Sequence, residues 1–561
     1  MIAAALLALS LLQEPSGTVP PFDGNREIDA EVVSDEIDLS LHWLHTRFDS
    51  EKGSFGSLEA DAWAVLAFSE APRKYRPADG PFLRKPIENL LAAQKPDGSF
   101  PAEVPAEVVL HALESVQDAG PRAAADKLRS RLGSVAARAE PASLTAATAR
   151  ARELLLSRKP DGSFGDVVAS ARTINELDRL QAYLEAHEPA PKPRVVQPLP
   201  SFHAPDAAQL DKAQVRGAQF LLSQAVEGGW GFDRHRDAGI TAMVVGGLMA
   251  GPGPRSPEVD KSVDAALDWL LSLQKDDGSI HEGQLANYVT SACVQALAKR
   301  GRPQDLAAIA RARDFLLKLQ ADEGEGYSSS DRFYGGVGYG DDEKPDLSNT
   351  QHALEALQMA GVAADNPAFQ KALVFLQRCQ NRSESNDLQL VRDGTTYSSG
   401  NDGGAIYAPA DSKAGFVDLA DGKRVPRSYG SMSYALLKCY LFAGLPKDDA
   451  RVQAVWQWMR DHYTLDVNPG FEASDDPAAS YQGLFYYFHT MAKALDMFGE
   501  ERITDGAGNV HEWRAELCGR LLALQRPDGS WVNSNAARWY EGQPVLATAY
   551  ALMALGNARA R

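Results

Sequence analysis

A chain of 561 residues, 44% hydrophobic and 24% charged, has the make-up of a folded protein, which excludes disordered and collagen-like classes. At about 150 residues per domain, that length allows two to four domains with sizeable cores. A formal net charge of −18 argues against a nucleic-acid backbone or an anionic membrane surface as the main partner.

The chain opens with MIAAALLALSLLQ, residues 1–13, an uncharged apolar run before Glu14 and Pro15. It is too short to cross a bilayer, and no later run reaches the required length. We read it as the core of a signal peptide, which predicts an exported protein, periplasmic or extracellular. The plainer alternative is an N-terminal helix.

A repeated phrase then organises the rest. It consists of an apolar helical stretch, a Gln, and a turn holding Gly and an aromatic. Residues 35–187 carry WLHTRFDSEKGSFG at 43–56, NLLAAQKPDGSF at 89–100 and ELLLSRKPDGSF at 153–164. EPAPKPRVVQPLPSFHAP at 188–205 has six prolines and reads as a stiff linker. Residues 206–561 carry FLLSQAVEGGWGF at 220–232, WLLSLQKDDGSI at 269–280, FLLKLQADEGEGY at 315–327 and RLLALQRPDGSW at 520–531. Looser copies lie at 372–380 and 452–463. From Gln94, Gln224, Gln274 and Gln525 the turn Gly lies four residues on, at Gly98, Gly228, Gly278 and Gly529. Phe100, Trp230, Ile280 and Trp531 follow two residues later.

After each turn comes a second apolar helix, such as TSACVQALAKRG at 290–301 or VLATAYALMALG at 545–556. Gly in the turn takes positive φ, the aromatic folds back on the helix it leaves, and the Gln bonds a turn group or the next helix end. One pair cannot bury its apolar faces alone, so pairs must stack. Stacked pairs make either an open solenoid or a closed ring, and periodicity does not choose between them. Six pairs suit a closed ring, so the expected architecture is all-α, an α/α toroid of about six pairs at 206–561 with a three-pair helical domain before the linker. Cys293, Cys379, Cys439 and Cys518 sit in apolar helical patterns and read as buried thiols. No nucleotide-binding, zinc-protease or serine-hydrolase signature occurs, and nothing implies a cofactor or a metal.

The phrase resembles the QW-type repeat of the superfamily holding squalene–hopene cyclases and protein prenyltransferase β subunits. RGAQFLLSQAVEGGWGF at 216–232 carries the likeness best, and it extends over most of 40–560. The resemblance implies the toroid and, if the chain is active, an isomerase or transferase acting on isoprenoids. The cyclases' D-x-D-D-T acid motif aligns with DLSNT at 346–350. Asp346 and Thr350 fit, whereas Ser348 holds the proton-donor place and Asn349 the last Asp. The prenyltransferase zinc His corresponds to His489 in YYFHT, but Tyr429 and Ser431 stand where Asp and Cys ligands would be.

Aromatics are concentrated late: 28 of 46 fall between Tyr327 and Tyr550. They are read either as an aromatic-lined cavity for a polyisoprenoid or as ordinary core. Two long loops, 325–348 and 381–428, should overhang one mouth of the ring. Candidate residues are Asp346 and His489 for catalysis, and Tyr339, Asn349, Tyr429, Tyr434, Tyr486 and Tyr487 for ligand binding. The expected partner is a hydrophobic small molecule, an isoprenoid or other lipid, with contact at a membrane periphery but no nucleic acid. Two other readings are a non-catalytic exported toroid that binds protein or peptide, and a polysaccharide lyase or hydrolase using Asp237 with Asp346.

Overall fold

The computed structural model describes residues 22, 26–116, 118–133, 140–188, 195–232, 235–251, 255–283, 285–340, 344–392 and 394–559. The signal-like run 1–13 and the acidic stretch 341–343 lie outside the described residues.

Six helices form an inner ring: α9 (Ala238–Leu248), α11 (Ala286–Arg300), α13 (Leu347–Met359), α15 (Gly430–Phe442), α17 (Leu484–Phe498) and α19 (Pro544–Ala558). Each packs on the next, and α19 packs on α9, so the ring is closed. Outside it run α8 (Ala207–Ser223), α10 (Pro257–Ser272), α12 (Leu306–Lys318), α14 (Pro367–Arg378), α16 (Ala450–Asp461) and α18 (Trp513–Leu524). The inner helices are buried on most sides and the outer ones on one face, as a two-layer ring requires.

The repeated phrase is the joint between units. Gln274 Nε2 donates to the carbonyl of its own turn Gly278 and to Ala308 in the next outer helix, both at 2.9 Å. Gln320 does the same to Gly335 and Ala368, and Gln380 to Gly403 and Arg451. Gln525 bonds Gly529 at 3.0 Å and Ala213 at 2.8 Å, so the last unit is tied to the first. Gln224 is the exception, turned aside to the Ser223 hydroxyl. Gly278 and Gly529 hold φ of 95° and 91°, which the turn needs and only glycine adopts freely. The indole Nε1 of Trp230 and of Trp531 donates back to Leu221 and Leu521, anchoring each aromatic on the helix it follows.

A second tie recurs in the first turn of the inner helices. Trp230 N donates to Thr241 Oγ1, Ile280 N to Thr290, Val337 N to Thr350 and Trp531 N to Thr548. Each threonine locks its inner helix to the turn that precedes it.

Among the described residues the N-terminal part has seven α-helices, one more than three pairs. They are α1 (Ala30–His45), α2 (Leu58–Glu70), α3 (Pro81–Ala93), α4 (Ala106–Val116), α5 (Ala119–Leu132), α6 (Leu144–Leu156) and α7 (Val167–His187). Helix α5 is the addition, and its Ala124 carbonyl takes the bond from Gln94 at 2.8 Å. At the third copy, Arg158 replaces Gln and pairs with buried Glu36 of α1. These helices share their own apolar core, separate from that of the ring.

The loop 381–428 is not structureless. It holds a four-stranded sheet, ordered β1-β2-β4-β3, from β1 (Leu390–Arg392), β2 (Thr395–Tyr397), β3 (Phe416–Asp418) and β4 (Lys423–Pro426). A short β5–β6 hairpin (Ile503–Thr504 and Val510–His511) is the other β element among the described residues. The loop at 325–340 docks the N-terminal helices: Arg332 Nη1 reaches Asp79 at 3.0 Å, its backbone N–H donates to Ala78, and Arg84 pairs with Asp331. No helix among the described residues is long and apolar enough to cross a membrane.

Candidate functional site

An inner helix of a closed ring has one face that no other element covers, the face toward the axis. On that face Tyr288, Ser348, Tyr486 and His489 are only half-buried, although outer helices and neighbours enclose their helices. Their remaining accessible surface therefore lies on the faces turned toward the ring axis.

Helical spacing selects these residues. Tyr486, His489 and Lys493 are three and four apart on α17, as Ser348, Gln351, His352 and Glu355 are on α13. The hydroxyls meet across the axis between helices that are not neighbours in the ring. Ser348 Oγ lies 2.9 Å from Tyr486 Oη, and Gln351 Nε2 donates to the same oxygen at 2.9 Å. Tyr288 and Tyr550 join at 3.2 Å. His352 packs edge-on to Tyr288 at 4.6 Å, and His489 stacks on Tyr550 at 5.7 Å. One turn deeper, Glu355 accepts from Lys438 at 2.8 Å and faces Lys493 at 3.6 Å.

Burial governs the electrostatics. It lowers the imidazoles to about 4 for His352 and about 3 for His489, with Lys438 adding to both, so both are neutral at pH 7. Burial also raises the Tyr486 hydroxyl far above its ordinary value, which makes it a donor or acceptor and not a base. Glu355 stays ionised because the attraction of Lys438 and Lys493 outweighs its burial.

The sequence candidates divide among different places. Tyr486 and His489 reach the axis. Asp346 is the N-cap of α13: one carboxylate oxygen accepts from Asn349 N and the other from Asn349 Nδ2, each at 2.8 Å. Burial raises its carboxyl, but those bonds commit it to the helix end. Thr350 repeats the role of Thr241, Thr290 and Thr548. Both matching positions of the acid motif thus serve the scaffold, and Ser348 is the member that faces the axis. Asp237 likewise caps α9, with Oδ1 accepting from Ile240 N at 2.8 Å. Tyr339 is 40% exposed beside the ring mouth, its carbonyl accepting from Asn287 N. Tyr429 is buried against Phe471, whereas Tyr434 and Tyr487 pack together at the α15–α17 seam, Tyr487 Oη donating to Thr464 O. One residue turns a helix by 100°, so Tyr487 leaves the axis that Tyr486 faces.

Residues missed from sequence are Tyr288, Gln351, His352, Glu355, Lys438, Lys493, Tyr550 and Glu541. Lys438 was detectable, being a charge inside the apolar run LLKCYLF. Glu541 is fully buried and accepts from Tyr486 N and Asn533 Nδ2, so it caps α17 from the neighbouring repeat. Burial raises its carboxyl to about 7. Among the described residues, no three His, Cys, Asp or Glu side chains converge as a metal site.

Residues 238–395, which run from α9 through β1, match the squalene-hopene cyclase C-terminal domain family. This part of the ring is squalene-cyclase-like. The match includes the stretch that holds Asp346 and Ser348. No curated relative matches the chain. Solved structures similar to it include a variant of the type II terpene cyclase MstE from Scytonema in complex with geranylgeranyl dihydroxybenzoate, at 14% identity and a TM-score of 0.38 over 63% of this chain and 97% of that one. A protein from Actinoplanes is 18% identical, with a TM-score of 0.37 over 62% and 99%. An unsaturated glucuronyl hydrolase from Streptococcus agalactiae is 13% identical, with a TM-score of 0.34 over 65% and 97%. Nothing about the chemistry of the squalene-cyclase-like ring follows from these three likenesses.

Proposed function

We propose that the ring binds an isoprenoid or a similarly hydrophobic small molecule in its axial recess and leaves it chemically unchanged. The observation that carries this reading is the half-buried aromatic and hydroxyl surface of Tyr288, Ser348, Tyr486 and His489 on the one uncovered face of the inner helices. Aromatic faces suit an unsaturated hydrocarbon body, and the hydroxyls already satisfy one another. Protonating an alkene needs a strong acid aimed at it. Ser348 is too weak, and the Asp346 carboxylate is occupied at a helix end. Neither residue at the acid-motif position therefore supplies the proton that alkene cyclisation needs.

The test is native mass spectrometry of detergent-free protein equilibrated with squalene, farnesol or farnesyl diphosphate. One lipid per chain, extracted unchanged, is expected, with weaker retention by Tyr486→Ala and His489→Ala variants that still fold. A protein that takes up none of the three defeats the reading, as does recovery of a cyclised or transferred product.

A further inference from the structure

Resting on that reading of the recess, we infer that its deep end takes an acidic head group, a carboxylate or a phosphate monoester. Two observations carry this. The first is a pair of unfilled imidazoles. His352 is 3% exposed, and neither ring nitrogen has a hydrogen-bond partner; His489 Nδ1 is buried and equally unpartnered. A neutral imidazole always carries one N–H donor, and a buried donor without a partner is destabilising. The ring contacts place both imidazoles against the axial tyrosines, His352 beside Tyr288 and Tyr486, and His489 on Tyr550.

The second observation is the charge count beside them. Glu355 is the single carboxylate between Lys438 at 2.8 Å and Lys493 at 3.6 Å, which leaves one positive charge uncompensated within the group. Lys299 enters from α11, its Nζ donating to Gly246 O at 3.3 Å. Lysines near helix C-termini also suit the helix dipole, and Lys299 of α11, bonded to the last turn of α9, fits that plainer role. The dipole does not account for the partnerless imidazole of His352 or the bare Nδ1 of His489. An anion at this level would accept an N–H from each imidazole and neutralise Lys493, while the body of the same molecule lies along Tyr288, Tyr486 and Tyr550.

Calorimetric titration of the full chain with dodecanoate, dodecyl phosphate and 1-dodecanol tests this. Both anions should bind at least about tenfold more tightly than the alcohol, since hydrogen bonds to charged groups are the stronger kind. The tighter of the two identifies the head group. Lys493→Met, at a side chain 30% exposed, should remove most of that advantage and leave the alcohol unchanged. With ¹⁵N-labelled histidine, adding the anion should shift the signals of His352 and His489, each assigned from its Phe variant. Dodecanol binding as tightly as dodecanoate, or an unchanged anion preference in Lys493→Met, overturns the acidic head while the recess stands. Failure of all three probes to bind overturns both.

Discussion

The ring and the N-terminal helices are written in the same repeated phrase, yet they resolve their joints differently. In the ring, Gln274, Gln320, Gln380 and Gln525 each bridge two backbone carbonyls, and Gln525 closes the circle on Ala213. In the N-terminal part, Gln94 makes one good bond at 2.8 Å and one long bond at 3.4 Å, and Arg158 substitutes an ion pair with Glu36. The ring leaves polar groups unpartnered on its axis, at His352 and His489. In the N-terminal part the buried groups without partners include Asp178, set inside the helix packing with neither carboxylate oxygen bonded. The same local grammar thus yields a closed ring in one region and a helical stack docked on it in the other.

The largest expected effect comes from separating the two regions. Arg332 and Asp79 are a buried pair, with side chains 2% and 1% exposed. Arg332→Ala leaves Asp79 without its cation and should cost about 3–5 kcal/mol. Calorimetry should then resolve two transitions in place of a coupled one.

Acid and base should act on the two regions with opposite sign. His352 is lowered to about 4 when folded against an ordinary 6.5, so the folded state binds fewer protons between those values. Its contribution is intact above pH 6.5 and is lost as the pH falls toward 4, amounting to about 2 kcal/mol at pH 5. Asp178 is raised well above 3.8 by burial, with Glu70 adding to it. The folded state there holds the extra proton, so stability falls as the pH rises from 3.8 through the folded value. His352→Phe should flatten the acid limb of a Tm–pH curve, and Asp178→Asn should raise Tm at pH 8 relative to pH 5.

Joint glutamines come next. Gln525→Ala loses two bonds at the ring closure and should cost about 2 kcal/mol, against about 1 for Gln94→Ala. Equal losses in urea melts of the two variants would erase the distinction between the regions. The smallest effect belongs to the exposed pair Arg502–Glu512, side chains 69% and 57% exposed. Arg502→Gln should shift stability by less than about 0.5 kcal/mol, setting the scale against which the joints are read.

The helix pairing and the work of Gln, Gly and Trp were legible because they depend on spacings of four and six residues along one turn, whereas closure into a ring was expected from the number of pairs. The threonine tie was not, since Thr241 or Thr548 meets its partner 11 or 17 residues away, beyond a loop of variable length. Helix α5 carries no copy of the phrase, so nothing marked it. At the site, Tyr486 and His489 were visible as an aromatic cluster, but which of Tyr486 and Tyr487 faces the axis depends on the helix's rotation. Glu355, Lys438 and Lys493 come from three helices, and only closure of the ring brings them together. Asp346 was picked for its place in a motif, and the structure gives that carboxylate to a helix end.

The central claim is that the axial recess holds a lipid and does not transform it. The most direct measurement is incubation of the purified chain with squalene or farnesol, followed by native mass spectrometry and chromatography of the extracted lipid. The account predicts one bound molecule per chain, recovered with its double bonds intact. A cyclised or hydrated product, or a ring that stays empty, would contradict it.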